Sequence, residues 1–476
     1  MRGGAIPALF TIGYVVLVAA SGASAYDPRQ CWPLANASGL PARCLGPTWD
    51  LKPPCPRCWE NTLPEYVPGK SATTVGPALR ARLTTLLDQY LGLMLAERPA
   101  SYKDSSGTVF SGIGGRALLL LKLHEVTGNA TYLSLAGPYV RAMEAALPGQ
   151  KILDAAAGFV GFQWSHIGML CVSALAADRR GDASAAAKRV AEVRDLFVSG
   201  AGKYDDFDSG RAGLLYAARF LQANVAPYGS PKINATDVAR MASAIVDRGA
   251  ATGRAAGNAF LSWHGPNDAG LWLGQSHGSA GIIQQLLLAA PDFVDSNATA
   301  AALIRATLTN MVDVQFPDGN FPTEYYNNSE DYLVQWDHGA PGVSAALLAG
   351  WRAFPGEEGE RFLSAARRAL QCTWKRGLIV KGLMNCHGVG GNTWMLLNAG
   401  QVTGNQTYMY RALAFQDLVA NTPLLSDPSV MRQPQPLPEG PWQFWTGSYE
   451  SAIELWTDLI YRGVANASET GFMAKL

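Results

Sequence analysis

The chain has 476 residues, 48% of them hydrophobic, enough to bury a large core, and its 38 Lys plus Arg balance 38 Asp plus Glu. The basic residues are nowhere concentrated, so nucleic acid is not an expected partner. Beyond the N-terminal segment no stretch reads as a membrane span, because glycine or polar residues interrupt every apolar run within a few turns.

The first 25 residues have the layout of a secretory signal: Arg2, an apolar run over 5–20, and the small-residue site Ala23-Ser24-Ala25, with cleavage expected after Ala25. The alternative is an uncleaved anchor, for which the run is shorter than the ~20 residues of a membrane span. Seven Asn-x-Ser/Thr acceptors, at Asn36, Asn129, Asn234, Asn297, Asn327, Asn405 and Asn466, point to the same secreted or lumenal address. Residues 26–72 are rich in Pro, Trp and Cys, with Cys31, Cys44, Cys55 and Cys58 close together. In an oxidising compartment four clustered cysteines read as two disulfides, in any of three connectivities. The Cys55–Cys58 spacing also suits zinc or thiol exchange, but no catalytic fold surrounds the pair. This segment is expected to be a stapled extension on a domain spanning 73–476.

From residue 75 onward the chain alternates two kinds of predicted helix. Segments such as 78–95, 187–197 and 360–370 place apolar residues at i, i+3, i+4 and i+7 with charge on the other face. Between them come short glycine turns leading into helices that are apolar nearly all round. Three turns are plain: QSHGSAG at 275–281, QWDHGAPG at 335–342 and NCHGVGG at 385–391. Weaker copies bring the series to seven, with leading residues Gly112, Ser165, Gly210, Gly278, Gly339, Gly388 and Gly447. The predicted fold is therefore all-α: an α/α toroid, a double ring of seven inner and seven outer helices, monomeric. Glycine in the turns lets each inner helix start tightly beside its neighbour.

The chain resembles the lanthionine synthetase C-like family from about residue 75 to 460. Its most specific motifs are FPDGNFP at 316–322, QWDHGAPG at 335–342 and KGLMNCHGVGGN at 381–392. The resemblance implies an α/α toroid with one Zn2+ at the centre of one face. The metal ligands would be Cys386 and His387, adjacent in one turn, with Asp337 at the equivalent place in the neighbouring turn, where the family has cysteine. His277 matches the family's acid or base toward the substrate, and Lys381 matches a lysine that holds the anionic thiol substrate. His338 would support the site from behind or contact substrate. A family glutamate is replaced by Thr446, and the second glycine of the last turn by Glu450. Cys171 and Cys372, in apolar helical settings, read as inert core thiols.

The chemistry implied is addition of a thiol, from glutathione or a peptide cysteine, to a dehydrated Ser or Thr residue of a peptide. Two other classes compete. One is a non-catalytic binding or scaffold toroid with a degenerate zinc site. The other is a carbohydrate-active enzyme using the acids near the turns, Asp205, Asp206, Asp208, Glu330 and Asp331. Taken alone, those acids are expected to be solvated loop charges and helix caps.

Overall fold

The glycine turns mark the helix starts. In the computed structural model, which describes residues 29–35, 57–104, 106–226, 233–266, 270–326, 331–428 and 448–463, six inner helices have as N-caps Gly112, Ser165, Gly210, Gly278, Gly339 and Gly388. The seventh leading residue, Gly447, lies outside the described residues, immediately before a helix that begins at Ser448.

The helices in chain order are α1 (Pro77–Glu97), α2 (Ile113–Thr127), α3 (Ala130–Ala157), α4 (His166–Arg179), α5 (Ala183–Ser199), α6 (Arg211–Asn224), α7 (Ala235–Ala255) and α8 (Ser279–Ala289). Then come α9 (Pro291–Ser296), α10 (Ala298–Asp313), α11 (Ala340–Ala353), α12 (Glu357–Arg376), α13 (Val389–Thr403), α14 (Gln406–Ala420), α15 (Pro423–Ser426) and α16 (Ser448–Tyr461). The inner ring runs α2, α4, α6, α8, α11, α13, α16, each packed on the next, and α16 closes onto α2. Around it lie α1, α3, α5, α7, α10, α12 and α14, while α9 and α15 are short connectors. The expected seven-by-seven toroid is therefore what the chain forms. Burial follows the two hydrophobic patterns. Every residue of α13 from Val389 to Gly400 is buried, whereas α1 buries only the stripe Leu79, Leu83, Leu87, Tyr90, Leu91 and Met94. Among the described residues no helix is long and apolar enough to cross a membrane.

The second glycine of the repeated step has a steric cause. A Cβ on Gly168, Gly213, Gly281, Gly342 or Gly391 would lie between 1.8 and 2.1 Å from the carbonyl oxygen six residues earlier, at Phe162, Phe207, Gln275, Trp336 and Asn385 respectively. The turns are also stitched to one another. Phe110 N–H donates to the Gln163 carbonyl (3.0 Å), Trp164 to Asp208 (3.2 Å), Phe207 to Ser276 (3.0 Å), Gln275 to Asp337 (2.9 Å) and Asp337 to Cys386 (3.0 Å). Each acceptor stands two residues before its helix N-cap, so equivalent residues of successive turns lie side by side around one face.

Ring closure is ionic. Lys122 of α2 lies 3.3 Å from Glu454 and 2.9 Å from Asp458 of α16, and Arg116 binds both Asp104 (2.8 Å) and Glu450 (2.9 Å). Burial pushes the Glu454 and Asp458 carboxyls up, and Lys122 pulls them back only in part. Glu450, where the other turns keep glycine, is thus the counter-charge of the Arg116 guanidinium. Lys122→Met leaves buried Glu454 with no cation among the described residues and Asp458 with Arg462 alone, at 3.2 Å, and is expected to lower the unfolding free energy by about 3 kcal/mol. Such acids must gain protons to fold, so the loss should grow as pH rises above their unfolded values. Urea unfolding of wild type and variant at pH 5 and pH 8 checks both statements.

The described part of the extension lies against the toroid. Cys31 and Cys58 form a disulfide, Trp59 N–H donates to the Leu378 carbonyl (2.6 Å), and Val380 N–H donates to the Arg57 carbonyl (3.1 Å). Cys44 and Cys55 lie outside the described residues, as do the signal-like segment and Asn36, Asn327 and Asn466. The other four glycan acceptors are N-caps of outer helices. Asn129, Asn234, Asn297 and Asn405 accept the backbone N–H of Thr131, Asp237, Ala300 and Thr407. Capping alone is a sufficient physical reason for Asn at these places. A glycan on Nδ2 would leave the accepting Oδ1 free to cap.

Candidate metal centre

Two residues before their N-caps, the third to sixth turns place Asp208, Ser276, Asp337 and Cys386. One residue before, the fourth to sixth place His277, His338 and His387. The stitched backbone brings these columns together. Asp337, Cys386 and His387 are all buried, and one donor atom from each lies within 4.8 Å of the others. His387 Nε2 is 3.3 Å from Cys386 Sγ and 2.8 Å from Asp337 Oδ2. The other Asp337 oxygen, Oδ1, is buried with no hydrogen-bond partner among the described residues. An orphaned carboxylate oxygen beside a thiol and an imidazole fits a cation-ligating set of three, which leaves one position of a tetrahedral ion open.

Charge supports the same arrangement. Burial alone would raise the Asp337 carboxyl, but the imidazoles of His338, His387 and His277 hold it well below the usual carboxylate range. Burial pushes His387 down to about 4 against the pull of Asp337, which favours the neutral ring, the form that ligates metals, at physiological pH. Lys381, buried in the loop before α13, lies near enough to add to the lowering of both His387 and His338. His338 Nε2 lies 3.2 Å from Asp337 Oδ2, where it orients the carboxylate. The FPDGNFP motif braces this turn from behind. Asn320 Oδ1 accepts the Ala340 N–H (2.9 Å), and its Nδ2 donates to Asp331 (2.9 Å) and to the Leu333 carbonyl (3.1 Å).

His277 stands on the same face, between two aspartates and two tryptophans. Its Nδ1 is 3.4 Å from Asp206 Oδ1 and its Nε2 is 3.6 Å from Asp208 Oδ2. Its ring centroid is 5.3 Å from that of Trp164 and 5.4 Å from that of Trp272. Burial alone would lower the imidazole, but the hydrogen bond to Asp206 and the charges of Asp208, Asp206 and Asp337 raise it to about 9. Burial pushes Asp208 up to about 7, opposed by His277.

The acids therefore differ from the expectation of solvated loop charge: Asp205, Asp206 and Asp208 are 1–2% exposed. Asp206 holds the Ser209 N–H and hydroxyl as well as His277, Asp208 holds Ser276, and Asp205 is ion-paired with Arg211. Asp331 is paired with Arg376, and Glu330 lies outside the described residues. None of the four described acids, each held by a hydrogen bond or ion pair, has the unencumbered setting of a glycosidase pair. Asp208 could have been found from the sequence, since it occupies in the third turn the place that Asp337 and Cys386 occupy in the next ones. The thiols expected to sit in the core do so. Cys171 and Cys372 are buried and free, and burial raises both, Cys372 to about 12.

The lanthionine synthetase C-like protein family matches residues 104–423 of this chain. The chain belongs to that family. It is 26% identical over 331 residues to a zebrafish (Danio rerio) protein named glutathione S-transferase LANCL1, covering 68% of this chain and 76% of that one. It is 32% identical over 335 residues to the LanC-like protein GCL1 of Arabidopsis thaliana, covering 65% and 69%. Among solved structures nisin cyclase superposes with a TM-score of 0.57 at 13% identity, over 81% of this chain and 94% of the other. That likeness shows a shared fold.

Proposed function

We propose that this LanC-like chain holds one zinc ion through Asp337, Cys386 and His387 and catalyses addition of a thiol, glutathione or a peptide cysteine, to a dehydroamino acid residue of a peptide. The observation that carries the proposal is the buried three-donor group on the same face as an aspartate-held His277. The relative named a glutathione S-transferase lends it support. In the net reaction the sulfur bonds to the β-carbon of the dehydro residue, and a proton ends on the α-carbon. Bound zinc would supply a Lewis acid that ionises a thiol near neutral pH. His277, kept protonated by Asp206 and Asp208, delivers the proton to the α-carbon as charge develops there. Lys381 attracts the anionic group of the thiol donor. Trp164 and Trp272 flank His277 and shield it from water.

The test is incubation of zinc-loaded protein with a dehydroalanine peptide and glutathione, with the thioether followed by mass spectrometry. A rate at least ~100-fold above the uncatalysed addition is expected. A rate no greater, with metal bound and the fold intact, would leave a binding or scaffold toroid instead.

We also infer entry into the secretory pathway, from the signal-like segment and in accord with the Cys31–Cys58 disulfide. The mature protein should begin at Tyr26 and carry glycans at several of Asn129, Asn234, Asn297 and Asn405. Intact-mass and peptide mapping check this, and an unprocessed, unmodified chain would overturn it.

A further inference from the structure

Beside the second turn, on the face that carries His277, a cavity of about 590 Å³ opens between the C-terminal ends of α3 and α5 and the start of α4. Asp154, 1% exposed, accepts the His166 backbone N–H (2.6 Å) and His166 Nδ1 (2.7 Å), while its other oxygen accepts from Gln150 (2.8 Å). Nδ1, facing the carboxylate, carries the proton, and in that tautomer Nε2 is an acceptor. His166 is nine-tenths buried and lines the cavity, and no described protein donor meets Nε2. The cavity thus offers a fixed, unused acceptor.

Its charge points the same way. The helices α3 and α5 both end here with no basic residue in the last turn, and helix C-termini favour cations. Asp154 already neutralises the N-terminus of α4. The Lys151 ammonium is taken up by Glu192 at 2.6 Å, and exposed Asp195 has no ion-pair partner among the described residues. Leu170 and Leu196 supply apolar wall between these groups. Such a lining suits an N–H cation on an aliphatic stem. Outside it, Ile152, Leu153 and Val198 are 72%, 65% and 49% exposed, an apolar margin against which a chain can lie.

An aromatic track links the cavity to the reacting centre. Phe159, in the cavity wall, is 6.2 Å from Trp164, which is 5.3 Å from His277. Those two steps are the reach of about three to four extended residues at ~3.3 Å each. We propose that the cavity is the subsite for a lysine or arginine side chain of the peptide substrate, placed about three to four residues from the dehydroamino acid. The inference rests on the thiol-addition reading for what reacts at His277, but its test does not need turnover.

The test is calorimetric titration of the full protein with unreactive peptides that carry alanine at the dehydro position. Lysine or its uncharged isostere norleucine would be set four residues to either side. One lysine peptide should bind about tenfold tighter than its norleucine counterpart. That preference should vanish in Asp195→Lys, an exposed position on α5 whose replacement leaves the fold unchanged, and should persist in Cys386→Ala. Equal affinity for lysine and norleucine peptides, or a preference that survives Asp195→Lys, overturns the proposal. Retained lysine preference without any thioether in the turnover assay would uphold the subsite and sink the thiol-addition reading alone.

Discussion

Cys386→Ala is expected to take the purified protein from about one zinc per chain to none, with the toroid still folded. Cys386 is one of three donors gathered within 4.8 Å, and its loss leaves a carboxylate and an imidazole that already hydrogen-bond each other at 2.8 Å. Two such ligands have a competing use for their lone pairs, so affinity should fall by more than about 100-fold, beyond what loss of a supporting partner costs. The turn itself should survive, because its geometry is set by Gly388, Gly391 and the backbone bond to Asp337, none of which needs the thiol. Elemental analysis and far-UV circular dichroism read the two outcomes separately. Asp337→Cys is the complementary variant. Thiolate is the softer donor, so this change should tighten zinc binding and sharpen its preference over manganese or magnesium. Undiminished zinc in Cys386→Ala would mean that the ligand set lies elsewhere.

How much of this was legible in the sequence depends on the range of the forces involved. The starts of the inner helices were readable because a local clash, Cβ against the carbonyl six residues back, enforces glycine at five of the seven. Asp337, Cys386 and His387 could be placed together because the turns are equivalent, and backbone bonds between successive turns make equivalence in sequence adjacency in space. Asp206 and Asp208 were misread. An acid in a polar loop looks solvated until the next turn, almost 70 residues on, closes over it with Ser276 and His277. The ionic closure of the ring was not readable at all, since Lys122 and Glu454 are 332 residues apart and each has an ordinary surface appearance on its own helix. The disulfide was foreseeable from cysteine density, but its Cys31–Cys58 pairing was not, because nothing local selects among three connectivities. The cavity at α3 and α5 escaped for a further reason: its lining comes from two helix ends and a turn, none unusual alone.

His277→Ala is expected to lower the rate of thioether formation by about 1,000-fold while leaving zinc content unchanged. A structural imidazole would give a different signature, so the pH profile decides the role. With its imidazole raised to about 9, His277 keeps its proton throughout the neutral range, and an acid-catalysed step should be lost as pH rises through 9. The sign is that of a basic group stabilised in its charged form. Its contribution to stability is complete below the unfolded value near 6.5 and disappears above the folded one. Asp208→Asn keeps a side chain able to bond Ser276 but removes one of the charges that raise the imidazole, so the falling limb should move to lower pH with only a modest loss at its plateau. The Asp206→Asn change should move it further, because the hydrogen bond that Asp206 accepts is the largest force raising His277. If the limb stays near pH 9 in both asparagine variants, or persists in His277→Ala, the titrating acid is another group, and His277 is reduced to a packed side chain between Trp164 and Trp272.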